Sequence, residues 1–320
     1  MLDWLYANAG PIVRRRLVLD FAIPISNRES AKLLKSVLAA VEVRRWLDNL
    51  GGTAIHGSKD TDAENAMAKL VEYGLRAGTL EFDRKMLPYT ELDNPAADAF
   101  LIAAGFASVQ NLANRFHERL EKLLYTANQG NYNLYLSPQE TVAVPKAWHG
   151  KRIYRPEFDV DSLPSCYDFY SLAHWPSTAA LERRKIEDVV AYISHPSFQN
   201  TGGGYLWNRD RNTCHSAGRV WLACLNPERI ILFLELASRF ESARRSLWFK
   251  NALSNLERYR TEKGTYRFAS ELLKEKRNSY YIYQGAHMGL GENRRNRNWI
   301  EIESPFRMLN IQRLMNLSSD

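Results

Sequence analysis

Residues 29–50 read ESAKLLKSVLAAVEVRRWLDNL, and this stretch decides the fold class. Its apolar side chains recur at spacings of three and four residues, which is the spacing of one face of an α-helix. The members of this apolar stripe are Leu33, Leu34, Val37, Leu38, Val41 and Leu47. The same periodicity predicts further helices at 58–74, 96–127 (one long or broken helix), 179–194, 214–225, 227–240, 243–262 and 300–316. The sequence therefore predicts an all-α protein.

Two of these helices have recognisable ends. In the helix at 58–74, Thr61-Asp62-Ala63-Glu64 matches the capping-box pattern, in which the first and fourth side chains bond to backbone N–H groups. Gly74 is a natural C-terminal stop, because glycine adopts the left-handed conformation that ends many helices. Pro227 stands in the first turn of its helix, where proline is tolerated.

A weak internal repeat is carried by glycines that follow apolar helix ends. Gly52, Gly204 and Gly264 occupy such places, and their separations are close to multiples of about 50 residues. A repeat of this length is typical of stacked helix pairs. The alternative interpretation is that helices of any fold often end in glycine.

The span 129–176 differs from the rest of the chain because it is rich in proline and aromatic residues. Within it, Asn131–Leu136 is predicted to be a short strand or an extended loop. We interpret the span as an irregular connection over one face of a single domain that covers 1–320. A linker between two lobes is the alternative, although the aromatic content argues against a flexible one.

Composition limits the function classes. The chain has 320 residues, 45% of them hydrophobic, and a formal net charge of +7. This modest basic excess suits an anionic ligand, or belongs to a solvated surface. Its cysteines (Cys166, Cys214 and Cys224) are too few for a disulfide framework, and no apolar run approaches the roughly 18 residues of a membrane span. We therefore expect a cytoplasmic protein without a membrane span.

Several short motifs resemble those of a known group. In the N-terminal half they are Trp4-Leu5, Pro11–Leu17, Val43–Leu47, His56-Gly57-Ser58 and Gly74-Leu75. In the C-terminal half they are Cys214–Arg219, Gly264–Phe268, His287–Asn293 and Glu303–Phe306. With these motifs, most of the chain resembles uncharacterised bacterial proteins related to the squalene cyclase and protein prenyltransferase superfamily. The resemblance implies an α/α toroid, a barrel of helix pairs around a central pocket.

The chemistry of that superfamily is only partly matched. Class II cyclases use the middle aspartate of an Asp-x-Asp-Asp motif as a protonated acid, and the closest stretch here is Phe158–Ser162, with Asp161 as the acid. Prenyltransferases hold zinc through aspartate, cysteine and histidine. Cys214 and His287 resemble the last two, but Asn212 stands in the aspartate position. Because a neutral amide is a poor zinc ligand, we expect no metal.

The densest polar cluster, QGAHMGLGENRRNR at 284–297, combines glycine N–H groups with arginines that grip phosphate or carboxylate. It matches no phosphate-binding loop of known pattern. In the toroid that the resemblance implies, His287 and Glu292 of this cluster line the central pocket. Side chains from distant parts of the sequence join them there, namely His56, His215, Arg219 and Tyr266. The candidate catalytic residues are His287, His215, Glu292, Tyr266 and Asp161, and the candidate substrate-binding residues are Arg219, His56, Tyr205, Trp207 and Arg294.

Three functions are compatible with these features. We favour a terpene cyclase-like or lyase-like enzyme that acts without a cofactor on an isoprenoid or other small hydrophobic or anionic substrate in a central pocket. A carbohydrate-active toroid enzyme is the second, and the lack of an export signal argues against it. The third is a helical-repeat protein that binds nucleic acid or another anionic partner, and the scattered basic residues argue against it. The oligomeric state is open.

Overall fold

The computed structural model describes residues 1–51, 54–156, 159–199, 204–217 and 229–316 of the chain. The protein is predominantly helical, with 61% of it in helices, which confirms that part of the all-α prediction. Within the described ranges, no helix is long and apolar enough to cross a membrane. The predictions made for Gly52, Phe158, Arg219, Cys224 and Pro227 lie outside the described residues.

Sixteen α-helices and one hairpin make up the regular structure of the described chain. The helices are α1 Leu2–Asn8, α2 Pro11–Asp20, α3 Asn27–Ala39, α4 Val41–Asn49, α5 Ala63–Glu72, α6 Leu80–Met86, α7 Pro95–Ala104, α8 Gln110–Gln129, α9 Cys166–His174, α10 Ala180–Ser194, α11 Pro196–Gln199, α12 Ile230–Ala237, α13 Glu241–Arg245, α14 Leu247–Glu257, α15 Tyr281–Gln284 and α16 Trp299–Asn316. The strands β1 Gly204–Asn208 and β2 Thr213–Ala217 pair antiparallel, with Leu206 opposite His215. Short 3-10 turns lie at Leu87–Glu91, Glu140–Ala143, Lys146–Trp148, Val160–Ser162 and Ser270–Leu273.

The apolar stripe at 29–50 is divided between two helices rather than one. Ala40 adopts an extended backbone conformation (φ −65°, ψ 137°), so α3 ends there and α4 begins. The predicted helix at 96–127 is likewise broken, because Gly105 takes a left-handed conformation (φ 97°) between α7 and α8. Of the predicted stripe, Val37 and Leu47 are buried, whereas Val41, at the start of α4, is 78% exposed. Hydrophobic periodicity predicts that the segment is helical, but it does not reveal the single extended residue that divides it.

The hairpin contradicts two predictions. Residues 213–217 form a strand where a helix at 214–225 was predicted. Asn131–Leu136 is the extended loop that was one of its two predicted alternatives, with an isolated bridge at Tyr135. Gly204 is the first residue of β1 rather than part of a turn, so it departs from the predicted glycine repeat. The reason for the glycine is steric: a Cβ at Gly204 would stand 2.6 Å from the ring of Tyr135 and 2.8 Å from that of Tyr154.

The irregular connection predicted at 129–176 is interrupted by α9. The part before α9 is fastened by isolated bridges, which pair Tyr135 with Tyr154 and Ile153 with Tyr205. Helix α9 itself has the capping box, in which Ser165 and Asp168 bond reciprocally to each other's backbone N–H groups.

Helix α5 is the most enclosed element of the core. All ten of its residues are buried, including the polar residues Glu64, Asn65, Lys69 and Glu72. It contacts α4, α7 and α15. Because a buried charge is costly unless it is paired, these four side chains need partners from surrounding elements, and their partners define the polar sites of the protein.

Helices α5, α9 and α12 run in the same direction. Their N-terminal residues lie together, since Glu64 and Tyr167 both contact His56, and Arg229 Nη2 lies 3.7 Å from Cys166 Sγ. Their C-terminal parts line a common cavity through Glu72, His174 and Leu236. The two ends of these parallel helices therefore carry separate polar sites.

Candidate functional site

The site at the N-terminal ends of α5 and α9 is centred on a histidine–carboxylate pair. His56 Nδ1 lies 2.7 Å from Oε2 of Glu64, the second residue of α5. The loop that carries His56 is held against the start of the helix, because Ala63 N donates to Ala54 O and Glu64 N donates to Ile55 O, each at 3.0 Å. The side chain of Glu64 is fully buried, whereas that of His56 is 48% exposed.

Three tyrosines surround this pair. The hydroxyl of Tyr167, in the first turn of α9, lies 2.8 Å from His56 Nδ1. The ring of Tyr280 stacks on the imidazole with centroids 5.2 Å apart, and Tyr283 meets it edge-on at 6.1 Å. The imidazole is therefore fixed on its Nδ1 side and bordered by aromatic surface.

The electrostatics of the site keep the two proton-carrying groups distinct. The hydrogen bond from Glu64 raises the pKa of His56, against the smaller opposing effect of partial burial. Burial, followed by the charge of Glu64, raises the pKa of Tyr167, so its hydroxyl keeps its proton. The two shifts leave His56 as the more readily titrated of these two groups, and Nε2 is its atom without a hydrogen-bond partner among the described residues.

The nearby thiol of Cys166 does not act as a nucleophile in this environment. Its burial raises the pKa to about 12, and the neighbouring Arg229 guanidinium only partly offsets this effect. Because the thiolate is the reactive form, the thiol is inert at neutral pH.

The structure places His287 in the interior rather than on a pocket wall. Its side chain is 1% exposed, with Nδ1 3.0 Å from Glu275 and Nε2 3.3 Å from Asp60. Its ring packs edge-on against Trp46 at 5.1 Å. The backbone adopts φ 62°, which is uncommon for a residue with a side chain. Nδ1 has a hydrogen-bond partner, whereas Nε2 lies near Asp60 without forming a hydrogen bond to any described residue. Because the side chain is closed to solvent, this environment favours a structural role.

Lys69 connects the chain around His287 to helix α5. Its ammonium group, fully buried, donates to the carbonyls of His287 at 2.5 Å and Gly289 at 2.6 Å and lies 3.3 Å from Glu275. The charge of Lys69 lowers the pKa of Glu275 to about 2 against the opposing effect of burial. The three donors of the ammonium are thereby used in joining α5 to the loop at 287–289.

Glu292 and Arg294 also fasten the fold. Glu292 Oε1 accepts a hydrogen bond from Gly10 N at 2.7 Å, just before α2. Arg294 Nη2 donates to Leu273 O at 2.8 Å and lies 3.2 Å from Oε2 of the buried Glu303. Both residues therefore bridge segments that are distant in sequence.

The other predicted site residues lie elsewhere. Tyr266 donates to Glu257 Oε2 at 2.9 Å, on α14. Asp161 is exposed in a 3-10 turn and accepts a backbone hydrogen bond from Arg119. In the hairpin are His215, which is exposed, and Tyr205 and Trp207, which are half-buried. Within the described residues, no hydrogen bond, ion pair or ring contact joins any two of His56, His215, Tyr266, His287 and Glu292.

The described part of the chain contains no group of three or more histidine, cysteine or acidic side chains arranged to hold a metal ion. Cys214 lies in β2 opposite Trp207, and the ring nitrogens of His287 face Glu275 and Asp60. These two residues therefore have separate surroundings.

Sequence interpretation identified His56 but missed its partners. Glu64 was assigned to a capping box, yet its carboxylate turns to His56, and the α5 N-cap Asp62 makes no side-chain capping bond. Tyr280 and Tyr283 were not among the predicted site residues. The short separation of Glu64 from His56, eight residues, was the one local feature of the sequence that could have indicated this pair.

Comparison of the chain with protein-family models, with curated proteins and with solved structures gave no match.

Proposed function

We propose that this protein is a lyase-like enzyme that moves a proton on a small hydrophobic substrate, with His56 as its acid–base group. The observation that carries the proposal is the pairing of a half-exposed imidazole with a fully buried carboxylate, Nδ1 to Oε2 at 2.7 Å. A buried carboxylate at Nδ1 fixes the tautomer, so that Nε2 carries the lone pair.

The proposed reaction is an elimination. His56 Nε2 takes a proton from a carbon of the substrate, the electrons of that C–H bond form a new double bond, and the leaving group departs with the electrons of its own bond. Glu64 stabilises the imidazolium that forms, and Nε2 then returns the proton to the leaving group. Tyr280 and Tyr283 offer the aromatic surface against which a hydrophobic substrate packs.

The geometry favours this chemistry over carbocation cyclisation. A cyclase acid must stay protonated in a dry pocket, and Asp161 is exposed. A groove of about 200 Å³ between α7, α8 and α9 mixes apolar residues with charged ones such as Arg115 and Asp98. Neither feature offers the enclosed apolar surface that a cyclising isoprenoid requires.

The parallel course of α5, α9 and α12 supports the finer fold proposal, an α/α toroid related to the squalene cyclase and prenyltransferase superfamily. In such a barrel the inner helices run in one direction and their N-terminal ends surround the pocket. Glu64 and Tyr167 stand at two such ends, and Arg229 is the N-cap of the third.

The test is a comparison of wild type with His56→Asn on two substrate panels: isoprenoid alcohols and diphosphates, and uronate-containing oligosaccharides. We expect turnover of an isoprenoid or similar hydrophobic compound, detected as new alkene by mass spectrometry. Loss of the acid–base group lowers the rate by about 10²–10⁴-fold. The matched control is His117→Asn, since His117 is also half exposed and 3.4 Å from a carboxylate, that of Glu182, but lies on α8.

Two results would count against this function. Undiminished turnover in His56→Asn would remove His56 from the mechanism. Turnover of the uronate panel alone would replace the hydrophobic substrate with a carbohydrate.

A further inference from the structure

A polar cavity of about 60 Å³ lies at the opposite end of the parallel helices. Helices α2, α5, α9, α12 and α16 all contribute to it through residues in their C-terminal halves. The charged residues of its lining are Arg16, Asp20, Glu72, Arg76, Glu235, Arg239 and Arg313. Because one water molecule needs about 10–15 Å³ of such space, the cavity has room for a group of a few heavy atoms.

Two arginines account for the carboxylates of this cavity. Arg16 Nε lies 2.5 Å from Asp20, and its Nη1 lies 3.5 Å from Glu72. Arg307, fully buried behind the lining, places Nη1 2.5 Å from Glu72 and 2.9 Å from Glu235. All three carboxylates thus have guanidinium partners before the remaining arginines are considered.

The remaining arginines leave the cavity with excess positive charge. Five guanidinium groups, counting Arg307, stand against three carboxylates among the described residues of this region. Arg76 Nη1 donates to the carbonyls of Val71 at 2.7 Å and Leu75 at 2.8 Å, where it offsets the partial negative charge of a helix C-terminus. Arg313 Nη2 donates to the neutral amide of Asn310 at 2.7 Å. Among the described residues, Arg76 and Arg313 therefore have no carboxylate as a hydrogen-bond partner.

The pKa values of residues that line the cavity agree with this excess of positive charge. Burial and, to a lesser extent, the charge of Arg313 together lower the pKa of Arg239 to about 10. The pKa of His174 lies well below its usual range because of burial and the nearby Arg239, so its imidazole is neutral. Arg313 Nε is buried and makes no hydrogen bond within the described residues. An anion in the cavity would relieve the repulsion and supply an acceptor.

We propose that this cavity binds a small oxyanion, either inorganic phosphate or the phosphate or carboxylate end of a small metabolite. Guanidinium groups bind such ions with paired, charge-assisted hydrogen bonds. The carboxylates restrict the site to an ion that is small enough to lie beside the guanidiniums of Arg76 and Arg313. This site is distinct from the His56 site, since Glu64 and Glu72 are at opposite ends of α5.

The test uses inorganic phosphate as the probe and Arg313→Gln as the variant. Phosphate is titrated at constant ionic strength against chloride, and binding is followed by the unfolding temperature and by calorimetry. We expect phosphate to raise the unfolding temperature of the wild type more than chloride does. Removing a charge-assisted hydrogen bond should weaken phosphate binding about tenfold or more. The matched control is Arg245→Gln, an exposed arginine on α13 that should bind like the wild type.

Further arms keep the proposal falsifiable. Arg313→Lys retains the positive charge but loses the planar guanidinium, so we expect a phosphate affinity between those of the wild type and Arg313→Gln. This variant also provides the comparison if Arg313→Gln does not fold. Acetate and malonate in place of phosphate show whether a carboxylate is the natural group. His56→Asn should bind phosphate like the wild type, so the two sites are tested separately. Equal effects of phosphate and chloride, or equal phosphate affinity in wild type and both Arg313 variants, would overturn the proposal.

Discussion

Arg307 and Glu235 form a buried ion pair in which one guanidinium nitrogen, Nη1, lies 3.1 Å from Oε1 and 2.9 Å from Oε2 of the carboxylate. The Arg307 side chain is fully buried, and its Nη2 donates to Met288 O at 2.6 Å. The desolvation of both charges largely offsets the attraction of such a pair. Removal of one partner is different, because it leaves the other charge buried alone.

Arg307→Met should therefore destabilise the protein by about 3–5 kcal/mol, since it leaves Glu72 and Glu235 without their shared cation. Urea unfolding followed by circular dichroism measures this loss. Arg245→Ala, which breaks the exposed pair with Glu241, should change stability by no more than about 0.5 kcal/mol. Similar losses of stability in Arg307→Met and Arg245→Ala would show that the buried ion pairs of Arg307 are not the cause of the loss.

The pairing of His56 with Glu64 predicts a pH effect that can be observed in the nuclear magnetic resonance spectrum of the ring. The pKa of His56 should exceed the ordinary value of about 6.5, because the carboxylate favours the imidazolium. Glu64→Gln should lower it. The raised pKa stabilises the folded state below the unfolded value, and this contribution is lost as pH rises through the folded pKa.

The same shift has a consequence for activity. A general base acts in its neutral form, so the rate should rise with pH through the raised pKa of His56, and in Glu64→Gln this rise should move to lower pH. An unshifted profile in Glu64→Gln would separate Glu64 from the acid–base step.

His287→Ala should lower stability by about 1–3 kcal/mol, because it leaves Glu275 and Asp60 without the ring that lies between them. Sequence interpretation placed His287 among the catalytic residues, for which loss of activity with little loss of stability is expected. Thermal unfolding together with the activity assay distinguishes the two roles. A stable but inactive variant would restore the catalytic assignment.

Cys166 should resist alkylation in the folded protein, since its thiol is buried and its pKa is raised to about 12. Iodoacetamide labelling followed by peptide mass spectrometry gives the measurement. The same peptide should become labelled in urea, which serves as the internal control. Rapid labelling under native conditions would mean that the N-terminal end of α9 opens to solvent.

Gly204→Ala should cost about 1–3 kcal/mol, because the added methyl group would overlap the rings of Tyr135 and Tyr154. A double-mutant cycle with Tyr135→Ala tests this cause. The cost should shrink when the ring is absent, and a coupling energy near zero would point to a backbone effect instead.

The helices were predictable because their signal is local. Spacings of three and four residues place Leu34, Val37 and Leu38 on one face of α3, and Val43, Trp46 and Leu47 on one face of α4. The hairpin was not predictable in this way. Gly204 is required by rings at 135 and 154, and this steric demand comes from residues far away in the sequence.

The candidate site shows the same division. His56 and Glu64 are eight residues apart, but Tyr167 lies 111 residues from His56 and joins it only when α5 and α9 pack against the same neighbours, α7 and α15. His287 was conspicuous in the sequence as a histidine among glycines. Its partner Lys69, 218 residues away, could not be identified without the fold.

The complete enclosure of α5 bears on how the chain is made. On the ribosome, Lys69 emerges long before the carbonyl of His287 that accepts its hydrogen bond, and the intervening 218 residues take roughly 10–40 s to synthesise. During this interval α5 has been synthesised, but the later segments that bury its four polar side chains have not. The nascent chain therefore has a long period of exposure in which a chaperone that shields half-assembled helices would raise the yield of folded protein.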